Sequence, residues 1–331
     1  MTFWVVVTLV ALALLFDFMN GFHDAANSIA TVVSTGVLKP SQAVAFAAFF
    51  NVAAIFIFQL KVAATVGKGI VDPGVVDQYV IFGALVGAIA WNVITWWYGI
   101  PSSSSHALIG GIVGATMAKA GTEPLVMAGV LKTVAFIFVS PVMGFLLASL
   151  MMVAVAWICR RLSPLRVDNV FLRLQLVSAG LYSLGHGGND AQKTIGVIWL
   201  LLIAAGMSNA GDKMPPSWVI WSCYIAIGLG TMFGGWRIVK TMGQRITKLK
   251  PVGGFCAETG GAVTLFTATA LGIPVSTTHT ITGAIFGVGS VRNASAVRWG
   301  LAGHIVMAWV LTIPATALIA AVFYGLSRLI F

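Results

Sequence analysis

Hydroxyl groups and two aspartates carry the chemistry open to this sequence. A short Ser/Thr run ending in histidine occurs twice. The copies are Gly99-Ile100-Pro101-Ser102-Ser103-Ser104-Ser105-His106 and Gly272-Ile273-Pro274-Val275-Ser276-Thr277-Thr278-His279, 173 residues apart. In each, proline ends a preceding helix, and the hydroxyl residues suit the cap and first turn of the next. The first N–H groups of a helix have no intrahelical partner and lie at the positive end of its dipole, so such a start binds anions. One copy alone reads more simply as helix capping. Two copies facing each other would surround a tetrahedral oxyanion with hydroxyl and backbone donors.

Asp24 lies in Gly21-Phe22-His23-Asp24-Ala25-Ala26-Asn27, after mainly apolar residues, and Asp190 in Gly187-Gly188-Asn189-Asp190-Ala191-Gln192-Lys193. Acids inside membrane segments are costly and mark a pathway or an ion site. The neighbouring glycines permit a broken helix with exposed carbonyls, and carboxylate, amide and carbonyl oxygens suit a cation or a proton. An anion tolerates such carboxylates only when a cation or proton screens them, so the combination points to symport. Lys193 stands where the first motif has Asn27. Pairing with Asp190 and contact with an anion are both open to it. Glu258, a third acid in an apolar run, is read either as a proton carrier or as the partner of a nearby hydroxyl. His106 and His279 are read as holding the helix starts in place.

The elements that position these residues are set by composition. Of 331 residues 59% are hydrophobic and 8% charged, with a mean hydropathy of +0.97. Soluble domains carry roughly 25% charged residues, and apolar runs of about 20 residues recur, long enough to cross a bilayer. Strand-like alternation is absent. The expectation is an all-α polytopic membrane protein with about 10–12 membrane segments. Several of these are too short to span alone and read as half-helices or re-entrant hairpins. The N-terminal run lacks the basic region of a cleaved signal peptide and reads as a membrane helix. The net charge of +10 reads as cytoplasmic loop charge rather than nucleic-acid binding. Cys159, Cys223 and Cys256 have no metal spacing, so no metal site or cofactor is expected.

The Ser/Thr runs are not the only duplicated features. Asp24 and Asp190, the stretches beginning at Thr65 and Thr241, and Pro141 and Pro314 recur in one order at nearly constant offset. This divides the chain into repeats 1–159 and 174–331, joined by a basic linker, 160–173. The linker carries Arg160, Arg161, Arg166 and Arg173 against Asp168, and segment 237–250 carries five basic residues without an acid. Both are expected in the cytoplasm. Segment 61–78, the counterpart of 237–250, balances Lys61 and Lys68 with Asp72 and Asp77 and reads as external. The repeats are therefore expected to be inverted, with both termini outside and a site near the midplane between them.

These paired motifs resemble those of the PiT family of inorganic phosphate transporters, over nearly the whole chain. The resemblance implies a transporter rather than an enzyme, often a homodimer, that moves phosphate with a coupling cation across the cell membrane, here a bacterial inner membrane. It assigns Ser103, Ser104, Ser105, Ser276, Thr277 and Thr278 to phosphate. It assigns Asp24, Asn27, Asn189 and Asp190 to cation coupling. From the residues themselves, Gln192, Lys193, His106, His279 and Glu258 are read as accessory. Two departures weaken a sodium assignment. His23 takes the place of an asparagine, and Asn51 that of an acid which sodium-coupled relatives often carry. The chain looks more like low-affinity bacterial members, so a proton is favoured over sodium, with a divalent metal travelling beside phosphate.

The nearest rival is a sulfate permease on the same scaffold. Part-protonated phosphate donates hydrogen bonds to carboxylates and sulfate does not, which favours phosphate. An intramembrane hydrolase gives no reason for two near-equal copies, and a passive anion channel gives none for buried acids.

Overall fold

A bilayer offers no partner for backbone N–H and C=O groups, so a chain this apolar must satisfy them within helices. The computed structural model describes residues 1–330, and among them every regular element is helical. Twelve α-helices follow in order: α1 (Phe3–Ser34), α2 (Pro40–Ala53), α3 (Lys61–Lys68), α4 (Gln78–Tyr98), α5 (Ser104–Ala120), α6 (Met127–Cys159), α7 (Pro164–Ala204), α8 (Ser217–Phe233), α9 (Trp236–Lys240), α10 (Pro251–Ala270), α11 (Thr277–Asn293) and α12 (Trp299–Ile330).

Among the described residues, α1, α4, α6 and α12 are long and apolar enough to cross a membrane alone. The count is six if two bent pairs are single spans. The remaining helices fall short of that length or apolarity for a physical reason. Helices α5 and α11 have 17 residues each and are buried over most of their length, while α7 and α10 carry the polar residues of the interior.

The glycines beside the aspartates permit helix breaks, but the breaks present lie elsewhere. Both α1 and α7 run unbroken through Asp24 and Asp190. The breaks fall between α2 and α3, bent by 82°, and between α8 and α9, bent by 60°. The glycines beside the aspartates permit close crossings instead. A Cβ on Gly21 would overlap the Ile227 backbone of α8, and one on Gly187 the Asn51 backbone of α2. Small residues at crossings are how membrane helices pack without a hydrophobic force between them. Segment 160–173 is likewise no separate loop, because α7 starts at Pro164.

The Ser/Thr runs are introduced by matching turns. Gly99 and Gly272 end α4 and α10 with φ of 65° and 68°, a left-handed conformation that favours glycine. Ile100 N–H then bonds Thr95 O, and Ile273 N–H bonds Ala268 O, both at 2.9 Å. Helix α5 packs against α12 and α11 against α6, so each short helix lies on a long one from the other half of the chain. Outside the membrane-spanning elements, Asp212 closes loop 205–216 by accepting from Asn209 N–H and Ser208 Oγ, each at 2.8 Å. These bonds hold its carboxyl below the usual carboxylate range.

Gly187→Ala is expected to destabilise by about 1–3 kcal/mol through overpacking, read as a lower unfolding midpoint in detergent. Gly300→Ala is the control, because a Cβ there meets nothing within 4 Å, and its midpoint should not fall.

Candidate oxyanion and cation site

Ser103 and Ser276 occupy the N-cap positions of α5 and α11. Each accepts a bond from the backbone N–H three residues on, His106 and His279 respectively, at 3.1 Å. The N–H groups of Ser104, Ser105, Thr277 and Thr278 belong to the first helical turns and have no intrahelical acceptor. The two starts meet inside the bundle. The His106 and His279 rings lie 4.9 Å apart, centroid to centroid. His279 stacks on Trp309 at 4.0 Å, whose Nε1 donates to Pro101 O at 3.0 Å. Both histidines and all six hydroxyl residues are buried.

The aspartate helices pass beside both starts. Ser104 Oγ donates to Asp24 Oδ1 at 3.4 Å, and Thr277 Oγ1 to Asp190 Oδ2 at 3.0 Å. The remaining contacts cross over. Asn27 on α1 donates to Thr277 and Thr278 at 3.2 and 2.9 Å. Lys193 on α7 donates to Ser105 Oγ, and also to Asp190 Oδ1 at 2.5 Å and Val275 O at 2.7 Å. Ser103, Ser105, Ser276 and Thr278 therefore each accept a bond from the protein, and each keeps its hydroxyl hydrogen to donate.

His186, which the sequence reading left out, joins this centre. One ligand atom each from Asp24, His186 and Asp190 lies within 4.8 Å of the others. Thr231 Oγ1 donates to Ile227 O at 2.8 Å, so it accepts from Asn51 Nδ2 at 2.9 Å. Asn51 Oδ1 then accepts from His186 Nδ1 at 3.1 Å. With Nδ1 as the donor, Nε2 of the neutral ring carries no hydrogen, and it lies 3.2 Å from Asp190 Oδ2, where a proton or cation would sit between them. Its position four residues before Asp190, on the same helix face, was the available signal. Two carboxylates and an imidazole so close together fit a proton or a small cation.

Comparisons with known proteins show the family. Residues 20–320 match the phosphate transporter family. The chain belongs to that family. It is 61% identical to a probable low-affinity inorganic phosphate transporter of Rhizobium meliloti, over 100% of this chain and 98% of the relative. It is 44% identical to a protein of the same description from Bacillus subtilis, over 98% of each. A solved structure described as the sodium-dependent phosphate transporter superposes with a TM-score of 0.89 at 26% identity, covering 99% of this chain and 100% of that one. The protein is thus a membrane transporter and not an enzyme, and its transported substrate is phosphate. The sulfate alternative finds no support among these relatives.

Other motif residues of the transporter hold its framework. Asn189 donates to Thr269 Oγ1 at 2.9 Å and Ile273 O at 3.2 Å, and accepts from Val275 N–H at 3.3 Å. It clamps the loop before α11. His23, in the corresponding place, reaches Thr95 Oγ1 at 3.0 Å through Nε2 and Asp24 Oδ1 at 2.6 Å through Nδ1. Gln192 Oε1 accepts from Val62 and Ala63 N–H at 3.0 and 3.3 Å, and so caps α3. Glu258 accepts from Gln175 at 2.9 Å and Ser178 at 2.5 Å. Its bonded partners are these two, apart from the Asp24–Asp190 cluster.

Asp190→Asn leaves the Lys193 ammonium buried without its counter-charge and should cost about 3–5 kcal/mol of stability. The double variant Asp190→Asn/Lys193→Met removes both charges and should recover most of that loss. Thermal unfolding of the purified proteins reads both outcomes.

Proposed function

We propose that phosphate binds between the starts of α5 and α11, at the interface of two repeats inverted in the membrane. Asp24 and Asp190 couple its entry to a cation, with a proton favoured. The observation that carries this reading is the set of four hydroxyls, Ser103, Ser105, Ser276 and Thr278. Each has a lone pair engaged by the protein and a hydrogen left to give. Such donors, with the free N–H groups behind them, suit an oxyanion. Ser104 and Thr277, bonded to the carboxylates, link anion and cation binding. Part-protonated phosphate can donate in turn to Asp24 or Asp190.

Several features support the inverted arrangement. Bent pairs occur as the second element of each run, Pro141 and Pro314 lie inside α6 and α12, and the two glycine turns match. Trp4 of α1 and Ser327 of α12 line one surface groove, which is consistent with both termini on one side, taken as outside. In this account the long helices of each half rock against the short helices of the other and expose the site alternately. The homodimer remains part of the proposal through the family resemblance.

Proteoliposomes holding the purified transporter should accumulate labelled phosphate and not sulfate. An inward pH gradient should stimulate uptake more than an inward sodium gradient. Asp24→Asn should abolish the gradient response. Uptake indifferent to both gradients would contradict coupling, and sulfate uptake without phosphate uptake would contradict the substrate.

A further inference from the structure

Lys193 has no equivalent in the first half of the chain, where Asn27 stands in its place. Its side chain is among the largest that are fully buried. An ammonium carries three N–H donors, and all three are engaged by Asp190 Oδ1, Val275 O and Ser105 Oγ. These acceptors come from α7, from the loop before α11 and from α5. An ordinary ion pair three residues apart on one helix would need only Asp190. A substrate contact would need a free N–H, and none remains.

The three acceptors are a carboxylate, a peptide carbonyl and a hydroxyl, the hard oxygens that hold small cations. Nζ lies 2.5 Å from the carboxylate and 2.7 Å from the carbonyl. Oxygen ligands hold a calcium-sized ion at about 2.3–2.6 Å, and sodium is of similar size. In the first half, the Asn27 amide carries no charge and Asp24 faces His23. The second half therefore holds a cation fixed to the chain at the place where the first has a neutral amide.

We propose that Lys193 is a tethered cation filling, in the second half-site, the place of an exchangeable monovalent ion. The fixed charge removes one ion from the coupling stoichiometry. The proposal rests on the phosphate-site reading above, and its test separates the two.

Full-length wild type and Lys193→Asn are compared by thermal unfolding in sodium chloride and in potassium chloride of equal ionic strength. They are then compared by phosphate uptake with and without an inward sodium gradient. Opening the cage should give Lys193→Asn a sodium-specific rise in unfolding midpoint of about 2–4 °C beyond any wild-type response. It should also give a sodium stimulation of uptake larger than that of wild type. Lys193→Gln serves as a second neutral variant. A folded Lys193→Asn with weaker phosphate affinity and no sodium response in either assay would make Lys193 a substrate contact and overturn the proposal. Aggregation of both neutral variants in sodium chloride as well as in potassium chloride would also overturn it, because sodium should refill a place shaped for a cation. If the sodium-specific midpoint shift appears but wild type takes up no phosphate, the phosphate reading fails and the cation place stands.

Discussion

A carboxylate buried in a bundle of membrane helices must be neutralised or fully bonded, and the centre of this transporter is organised by that constraint. Asp190 receives an ammonium and a threonine hydroxyl, with His186 Nε2 3.2 Å away. Asp24 receives an imidazole and a serine hydroxyl. Removing a counter-charge from such a group is far more damaging than the pair is stabilising. The residues around the aspartates are therefore tied to them, and through them to the two helix starts with their hydroxyl and N–H donors.

The same ties join distant parts of the chain. Asn27 of α1 reaches the second Ser/Thr run, and Lys193 of α7 reaches the first. The short helices lie against long helices of the opposite half. A change in the cation occupancy of the aspartates must then be felt at both helix starts, because Ser104 and Thr277 spend their hydrogens on those carboxylates. This is a physical route for coupling. In the proposed site, phosphate would compete with the carboxylates for two hydroxyl hydrogens, and a cation on the carboxylates would weaken their claim.

Much of this was legible in the sequence. The cap role of Ser103 and Ser276 follows from residue type and a preceding proline, both local signals. The intramembrane aspartates stood out because acids are scarce in so apolar a chain. What local reading missed depended on long-range partners. The glycines beside the aspartates signalled broken helices, yet they face the backbones of Ile227 and Asn51, more than a hundred residues away. Gln192 looked like part of the site, but the N–H groups it caps belong to Val62 and Ala63. Of the two readings open for Glu258, the hydroxyl partner is the contact present, Ser178. The three-way bonding of Lys193 was equally out of reach, since two of its acceptors lie outside its own helix.

The central claim is that the starts of α5 and α11 form one site for one phosphate. The most direct measurement is an experimental structure of the transporter with phosphate bound. The account predicts tetrahedral density between the two starts, within hydrogen-bond reach of Ser105 and Thr278 and of the N–H groups of the first turns. Phosphate bound elsewhere, with Ser105 still on Lys193 and Thr278 still on Asn27 and neither helix start in contact with it, would contradict the account.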